Sequence, residues 1–429
     1  MENQTLIFEK LVYGGDCLGR LPDGRAIFAP FILPGEVAEV EISEEKDRYL
    51  RARLVKILVA SPDRIEAPCP YFTQCGGCHY QHLDYAQQLA TKKELLIDQL
   101  QRIGKFQNLP DFQITPSKLP FAYRNQIQLH PVPSEQIENE NPEEALLALG
   151  FKRASSNDTI PITKCLLAPD DINALLSQIE LETDPGITRL AMRIDSDGEL
   201  MLVFEGDGDE APDLSFELPI SSAFLYPDGE SLNLSGNDAL FYEIMGKEFL
   251  VSPESFFQVN LNVAEEMLHY VLGLLNSQSG LNILELYSGV GLFSRFLAPL
   301  AKQLTAIEAS PSACFDFVSN MDEFENVSLY EGPVESLLPE LIGQIESPDL
   351  VLLDPPRAGL HVKARQALLK LSPKQIIYIS CDPSTLARDL KALHESGYQL
   401  DSLQAFDMFP QTAHVETMTV LRRTQRVTS

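Results

Sequence analysis

Residues 5–58 alternate short apolar pieces with turn signals. Leu6-Ile7-Phe8, Ala26-Ile27-Phe28, Val37-Ala38-Glu39-Val40-Glu41 and Arg53-Leu54-Val55-Lys56-Ile57 read as strands, separated by Gly14-Gly15, Pro22-Asp23-Gly24 and Pro34-Gly35. That pattern predicts a small OB-like β-barrel, a shape that often carries oligonucleotides. Further on, Asp84 is placed to cap a helix in which Ala86, Leu89, Leu96, Leu100 and Ile103 share one face. From about Phe121 to Phe249 short strand-like pieces such as Ile127-Gln128-Leu129, Leu190–Ile194 and Leu200–Phe204 alternate with acidic loops, which predicts a mostly antiparallel α+β region. After Val263 helices alternate with continuous apolar runs, Ile283–Leu286, Leu304–Ile307, Leu350–Leu353 and Ile376–Ile379. Such runs are buried on both faces, so the C-terminal part is predicted to be α/β, a Rossmann-like doubly wound parallel sheet. The resulting plan is a barrel over 1–60, a central domain over 61–250 and a ligand-binding domain over 251–429.

Composition narrows the class. With 44% hydrophobic and 22% charged residues over 429 positions, the chain has the make-up of an ordinary globular protein of two or three domains. No basic leader opens it, and no apolar run approaches the roughly 18 residues that span a bilayer, so a cytoplasmic protein without a membrane partner is expected. The net charge of −29 argues against nucleic acid at first sight, but it is unevenly spread. Acidic residues crowd Glu135–Glu144 and Asp195–Asp213, while Arg48, Arg51, Arg53 and Lys56, then Lys92, Lys93, Arg102 and Lys105, form basic clusters that read most simply as solvated faces.

The chemistry-bearing residues fall at the ends of the predicted parallel strands. Glu285-Leu286-Tyr287-Ser288-Gly289-Val290-Gly291-Leu292-Phe293 follows one strand and opens a helix, so its glycines let backbone approach a ligand; a plain tight turn is the alternative. Glu308 ends the next strand roughly 20 residues on, where a carboxylate accepts from ribose hydroxyls, unless it is only a surface glutamate. Asp354 ends Leu350–Leu353 and is fixed by Pro355-Pro356, and Cys381 ends Ile376–Ser380 before a proline-started helix. In an open α/β sheet such ends converge on one crevice.

Cys381 alone would read as a buried, inert thiol. Its chemistry becomes specific if the substrate is uracil, whose carbon 5 is a poor nucleophile until a thiolate adds at carbon 6. A base must then take the carbon 5 proton so that the thiolate can leave, and Glu416 in Phe409–Thr417 is the candidate, with His414 nearby.

Seven cysteines in a chain without a leader argue against a disulfide framework. Cys69, Cys75 and Cys78 lie in one loop with Gly76-Gly77, and Cys165 would complete a set of four, which suits either zinc or an iron-sulfur cluster. Spacing alone leaves open a zinc that uses His79 or His82 in place of Cys165.

Together these segments resemble known families. The strand-end acids and Asp354-Pro355-Pro356 resemble a class I S-adenosylmethionine-dependent methyltransferase domain. Ser380-Cys381-Asp382-Pro383 with Thr385, and Phe409-Pro410 with Thr412, His414 and Glu416, look like the paired motifs of the RNA 5-methyluridine methyltransferase family, and Gln258 in Phe256–Asn260 matches as well. Gly14-Gly15, Leu18-Gly19-Arg20, Gly24-Arg25, Pro34-Gly35-Glu36 and Ser61–Arg64 resemble the TRAM barrel of its iron-sulfur subfamily. The resemblance implies cofactor contacts from Gln258, Tyr287, Leu292, Glu308 and Asp354. It also implies Cys381 as nucleophile, Glu416 as base, and one four-iron four-sulfur cluster on Cys69, Cys75, Cys78 and Cys165. Two departures stand out: Asp382 where the family often has Asn, and Glu285-Leu286-Tyr287 where it often has Asp-Leu-Phe. A monomer acting on RNA without a protein partner is expected, with large-subunit (23S) ribosomal RNA favoured over tRNA. The rivals are a non-catalytic iron-sulfur RNA-binding protein and an enzyme acting on cytosine in DNA.

Overall fold

In this computed structural model the described residues are 3–133, 146–154, 156–179, 181–182, 186–208, 211, 220–276 and 278–424. The acidic run at Glu135–Glu144 lies outside them, as does part of the run that ends at Asp213.

Five strands, Asn3–Leu11, Asp16–Arg20, Ala26–Pro30, Val37–Glu45 and Tyr49–Val59, close the N-terminal barrel. Its core is the alternate inward residues the sequence pattern marks, among them Phe8, Ile27, Ala29, Ala38, Val40 and Leu50. The strand Asp16–Arg20 escapes the hydrophobic pattern because only Cys17 and Leu18 carry apolar side chains in it.

A linker tied by Arg64 leads away from the barrel. Its guanidinium reaches Glu36 at 2.5 and 2.7 Å, and Glu36 also accepts from the Leu33 and Ser61 amides. The helix Tyr85–Arg102 follows, capped by Asp84, whose carboxylate accepts from the Ala86 amide at 3.0 Å. Its buried face differs from the expected one: Ala86 is exposed, while Gln88, Lys92 and Gln99 are buried beside Leu95, Leu96 and Leu100. The reason is the partner, since Leu96 and Leu100 pack into the apolar core of the C-terminal domain while Lys92 and Gln88 meet its buried polar groups Asp407 and Gln411.

The central region is a sheet ordered Leu181–Glu182, Leu146–Lys152, Gln126–Pro133, Ile187–Ile194, Leu200–Gly206, Ser221–Leu225 and Ser231–Ser235. It is antiparallel except that Leu200–Gly206 and Ser221–Leu225 run parallel.

The C-terminal sheet has the order Val327–Glu331, Ala301–Glu308, Leu281–Leu286, Leu350–Leu353, Gln375–Ser380, Glu416–Arg423, Tyr398–Phe406 and Ile114–Thr115. Leu284, Leu286, Val351, Leu353, Ile377 and Ile379 are fully buried, as strands covered by helices on both faces require. The strand order reverses between Leu281–Leu286 and Leu350–Leu353, the position where doubly wound sheets open a ligand crevice. The sheet is not wholly parallel, because Glu416–Arg423 runs antiparallel between two neighbours. That reversal brings the start of the strand, Glu416, to the same edge as the ends of the parallel strands. The architecture is a doubly wound sheet with one antiparallel insertion, joined to a closed five-stranded barrel.

Candidate active site

The catalytic, cofactor and cysteine candidates from the sequence line one cavity of about 1230 Å³, whereas His79, His82, Asp382 and His414 do not. Gln258, Tyr287, Leu292, Glu308 and Asp354 are on it, with Cys381 and Glu416, and so are Cys69, Cys75, Cys78 and Cys165. Its walls come from three elements: the C-terminal edge of the sheet, the cysteine-rich loop and the central sheet.

The glycine-containing turn is built for close approach. Tyr287 takes φ 62°, a left-handed conformation that strains a non-glycine residue, and its amide and that of Ser288 both donate to the Ile307 carbonyl. Gly291 has φ 91°, and a Cβ there would sit 3.1 Å from the Phe317 ring. Glu308 closes the turn from the neighbouring strand: its Oε2 accepts from the Gly289 amide at 2.8 Å, and its Oε1 from the Ala309 and Ser310 amides at 2.7 and 2.8 Å. A carboxylate held by three amides keeps one orientation and has lone pairs left for a ligand.

The other acids are less solvated. Burial pushes the Asp354 carboxyl up to about 7. It pushes Glu416 well above its ordinary range, Asp354 adding to the effect and Arg357 opposing it. Glu416 Oε1 is buried with no hydrogen-bond partner. The Cys381 thiol is raised to about 11, first by burial and then by Glu416 and Asp354, with Arg357 again opposing. Arg357 is therefore the cation that faces this acidic trio. Sequence reading passed over it, although its place directly after Pro355-Pro356 was a signal.

Glu285, near the end of the strand Leu281–Leu286, is raised to about 8 by burial and receives the Ser294 hydroxyl at 2.5 Å. In the unfolded chain it ionises near the ordinary carboxyl value, so between that pH and about 8 the folded protein binds the extra proton. Stability is then full below the unfolded value and falls as pH rises toward about 8. Glu285→Gln, which keeps the shape without the charge, is expected to flatten this fall and to raise Tm at pH 8 more than at pH 5 in thermal melts.

A buried network holds the segment that leads to Glu416. Lys92 Nζ reaches Asp407 Oδ1 at 2.5 Å and the Phe409 carbonyl at 3.0 Å, and both charged side chains are fully buried. Tyr85 donates to Asp407 Oδ2 at 2.8 Å. Gln88 and Gln411 exchange two bonds, Gln88 Nε2 to Gln411 Oε1 at 2.9 Å and the Gln411 amide to Gln88 Oε1 at 3.1 Å. Gln411 itself takes φ 68°. Removing one partner of a buried pair strands the other charge, so Lys92→Met is expected to cost about 3 to 5 kcal/mol in denaturant unfolding.

The four cysteines face the cavity from one side. Cys75 feels Cys165 and Cys69, and Cys78 feels Cys165 and Cys75, electrostatically. Burial is the main force that raises the Cys75, Cys78 and Cys165 thiols, Cys78 to about 12, while the Arg124 guanidinium pulls them down. The Gly77 amide points at Cys75 Sγ at 3.4 Å, and the Leu167 and Ala168 amides serve Cys165. Among the described residues no three of His, Cys, Asp and Glu converge as a single bound ion requires. His79 and His82 do not make such a site either: His79 Nδ1 accepts from the Ala413 amide, and His82 is buried with neither ring nitrogen paired.

A model of the tRNA (uracil-5-)-methyltransferase family matches residues 237–331 and 345–424, and a TRAM domain model matches residues 2–55. An uncharacterized RNA methyltransferase of Aquifex aeolicus is 35% identical, the match covering 97% of both chains. Another from Streptomyces avermitilis is 33% identical over 96% of both. Among solved structures, the Pyrococcus abyssi tRNA (uracil-54, C5)-methyltransferase in complex with S-adenosyl-L-homocysteine has the same fold. Its TM-score is 0.72 at 24% identity, and the match covers 97% of this chain and 100% of that one. Among the described residues no helix is long and apolar enough to cross a membrane.

Proposed function

We propose that this chain, which belongs to the TRAM-containing RNA uracil-5-methyltransferase family, makes 5-methyluridine in RNA with Cys381 as nucleophile and Glu416 as base. The observation that carries the reading is the meeting of Cys381, Glu416 and Asp354 on the same cavity wall as the glycine-containing turn. S-adenosylmethionine supplies an electrophilic methyl group. The fit to Gln258, Tyr287, Leu292, Glu308 and Asp354 rests on the strained, glycine-opened turn and on the oriented Glu308 carboxylate.

The steps that belong to this chain are proton and thiolate transfers. Cys381, partly exposed, gives up its proton to solvent and adds through sulfur to carbon 6 of the uracil, which places electron density on carbon 5. Once carbon 5 carries the methyl group, the Glu416 carboxylate takes the carbon 5 proton. The sulfur–carbon 6 bond then breaks and the double bond re-forms. Arg357 favours both ionised states needed, thiolate and carboxylate.

Cys69, Cys75, Cys78 and Cys165 would hold a four-iron four-sulfur cluster. Their shared cavity wall and the amides aimed at Cys75 and Cys165 support this, and its work would be to position structure, since methyl transfer moves no electron pair through it. Iron and sulfide content of anaerobically purified protein, compared with Cys75→Ser, tests that assignment.

RNA fits a second feature. A neighbouring cavity of about 350 Å³ is lined by Gly76, Gly77, Gln128, His130, Phe151, Lys152, Arg153 and Ala154 and shares Gly77, Gln128 and Phe151 with the large one. No carboxylate stands among these lining residues, and Lys152 and Arg153 are exposed, which suits a phosphate backbone that enters the site. The double variant Lys152→Ala/Arg153→Ala is expected to weaken RNA binding and to lower the slope of log K against log salt by roughly 1.5 to 2, with kcat retained.

Large-subunit ribosomal RNA remains the first substrate read from the barrel and cysteine loop. tRNA is the second reading, favoured by the archaeal tRNA enzyme that shares the fold over nearly the whole chain. Competition between unmodified 23S ribosomal RNA and tRNA for labelled methyl transfer separates them.

A further inference from the structure

The turn between the first two barrel strands touches the Cys381 segment directly and the segment that leads to Glu416 through His79. Tyr13 donates its hydroxyl to Asp382 Oδ2 at 3.0 Å, although the two residues are 369 positions apart. Asp382 Oδ1 accepts from the Ser384 and Thr385 amides at 2.9 and 2.8 Å, as the cap of the helix Pro383–Glu395. The carboxylate next to Cys381 is therefore held by three donors, one of which comes from the barrel. Two residues later Gly15, at φ 98°, lies so close to His79 that a Cβ would meet its ring at 2.8 Å. His79 in turn donates its amide to the Gln411 carbonyl at 2.8 Å and accepts from the Ala413 amide at 3.3 Å. Ala413 is itself packed into the barrel's core cluster.

We propose that Tyr13 is a positioning residue for methyl transfer, whose hydroxyl fixes the Asp382 carboxylate beside Cys381 and so makes the reactivity of the thiol depend on the docked barrel. The inference rests on Cys381 being the nucleophile. Asp382 places a carboxylate beside the nucleophile, and Tyr13 is the side chain that meets its Oδ2. Five groups face Cys381. Asp354 and Arg357 come from the end of Leu350–Leu353, Glu416 from the antiparallel strand, Asp382 from its own segment and Tyr13 from the barrel, with His414 within 3.5 Å of Arg357. Without the Tyr13 hydroxyl, Oδ2 loses its donor. The carboxylate is then free to turn, and its charge falls more fully on a sulfur that must become negative.

Tyr13→Phe keeps the ring and removes only the donor. In full-length protein carrying its native cysteines, it is expected to lower kcat for RNA methylation roughly tenfold at pH 7.5, with KM for RNA unchanged. Alkylation of Cys381 by iodoacetamide, followed by peptide mass spectrometry across pH 6 to 10, should show its midpoint moved upward. In an Asp382→Asn background, where no charge needs the donor, the same change should alter kcat and the alkylation profile by less than about twofold. An unaltered profile and kcat for Tyr13→Phe would overturn the inference. So would a loss that appears only in KM, or an equal loss in the Asp382→Asn background, since each would assign Tyr13 to docking or RNA contact alone. Failure of the underlying function shows separately, as wild-type protein that leaves every RNA unmethylated, and the inference then falls with it.

Discussion

Cys381→Ala is expected to lower 5-methyluridine formation by about ten-thousandfold or more, to the background of the assay, while the protein stays folded. The loss is large because Cys381 is the cavity thiol that faces Glu416 and Asp354, whereas Cys69, Cys75, Cys78 and Cys165 face one another on another part of the wall. Asp354 and Glu416 are carboxyls raised by burial, and Arg357 is a cation. Folding should survive because the side chain sits partly exposed at the strand end, while the helix that follows is capped by Asp382 and not by the cysteine. Calorimetric binding of S-adenosylmethionine should be unchanged in the variant, which separates a lost nucleophile from a lost pocket. The thiol is raised to about 11, so wild-type rates should climb with pH as the thiolate fraction grows.

Glu416→Gln is expected to split the reaction in the middle. Addition through Cys381 and methyl transfer should still occur, but an amide cannot take the carbon 5 proton, so the sulfur stays bonded to carbon 6. A covalent protein–RNA species that survives denaturing gel electrophoresis should accumulate, with turnover down by about a thousandfold. The buried, unpartnered Glu416 Oε1 is what makes the site sensitive. The same change removes an ionisable group whose carboxyl is raised in the folded chain. Stability from that group is lost as pH rises, so the variant should melt at least as high as wild type above neutral pH. Absence of the covalent species, with activity retained, would assign the proton to another residue.

How much of this was legible in the sequence depends on how each residue is placed. Glu308, Asp354 and Cys381 could be found because each ends an apolar run, and apolar runs in a doubly wound sheet end at one edge. Glu416 could not be placed that way. It starts an antiparallel strand that the alternation of helix and strand does not predict, and only the chemistry of uracil and the resemblance of its motif singled it out. Gln88 and Gln99 went unread, and Lys92, taken as part of a solvated basic face, is in fact fully buried, because a polar residue on an amphipathic helix is assigned to solvent until its partner is known. Those partners lie far away in sequence: Asp407 is 315 positions from Lys92 and 322 from Tyr85. Tyr13 carried no signal at all, since a tyrosine beside two glycines in a hairpin turn is unremarkable until Asp382 is seen against it.

The acidic balance of the chain also reads differently in three dimensions. Most of the basic residues singled out as clusters do not line the cavity; Arg51 pairs with Asp16 and Arg102 with Asp98, as exposed ion pairs of small worth. The cations at the two cavities, Arg124, Lys164 and Arg357 on the large one and Lys152 and Arg153 on its neighbour, were not part of the clusters singled out in the sequence. Net charge therefore misjudged the partner because it summed over surfaces that do not meet it.

The most direct test of the central claim is nucleoside mass spectrometry after purified protein has been incubated with unmodified ribosomal RNA or tRNA and labelled S-adenosylmethionine. The account predicts labelled 5-methyluridine from wild type and none from Cys381→Ala. Label in a different nucleoside, or equal 5-methyluridine from the variant, would contradict it.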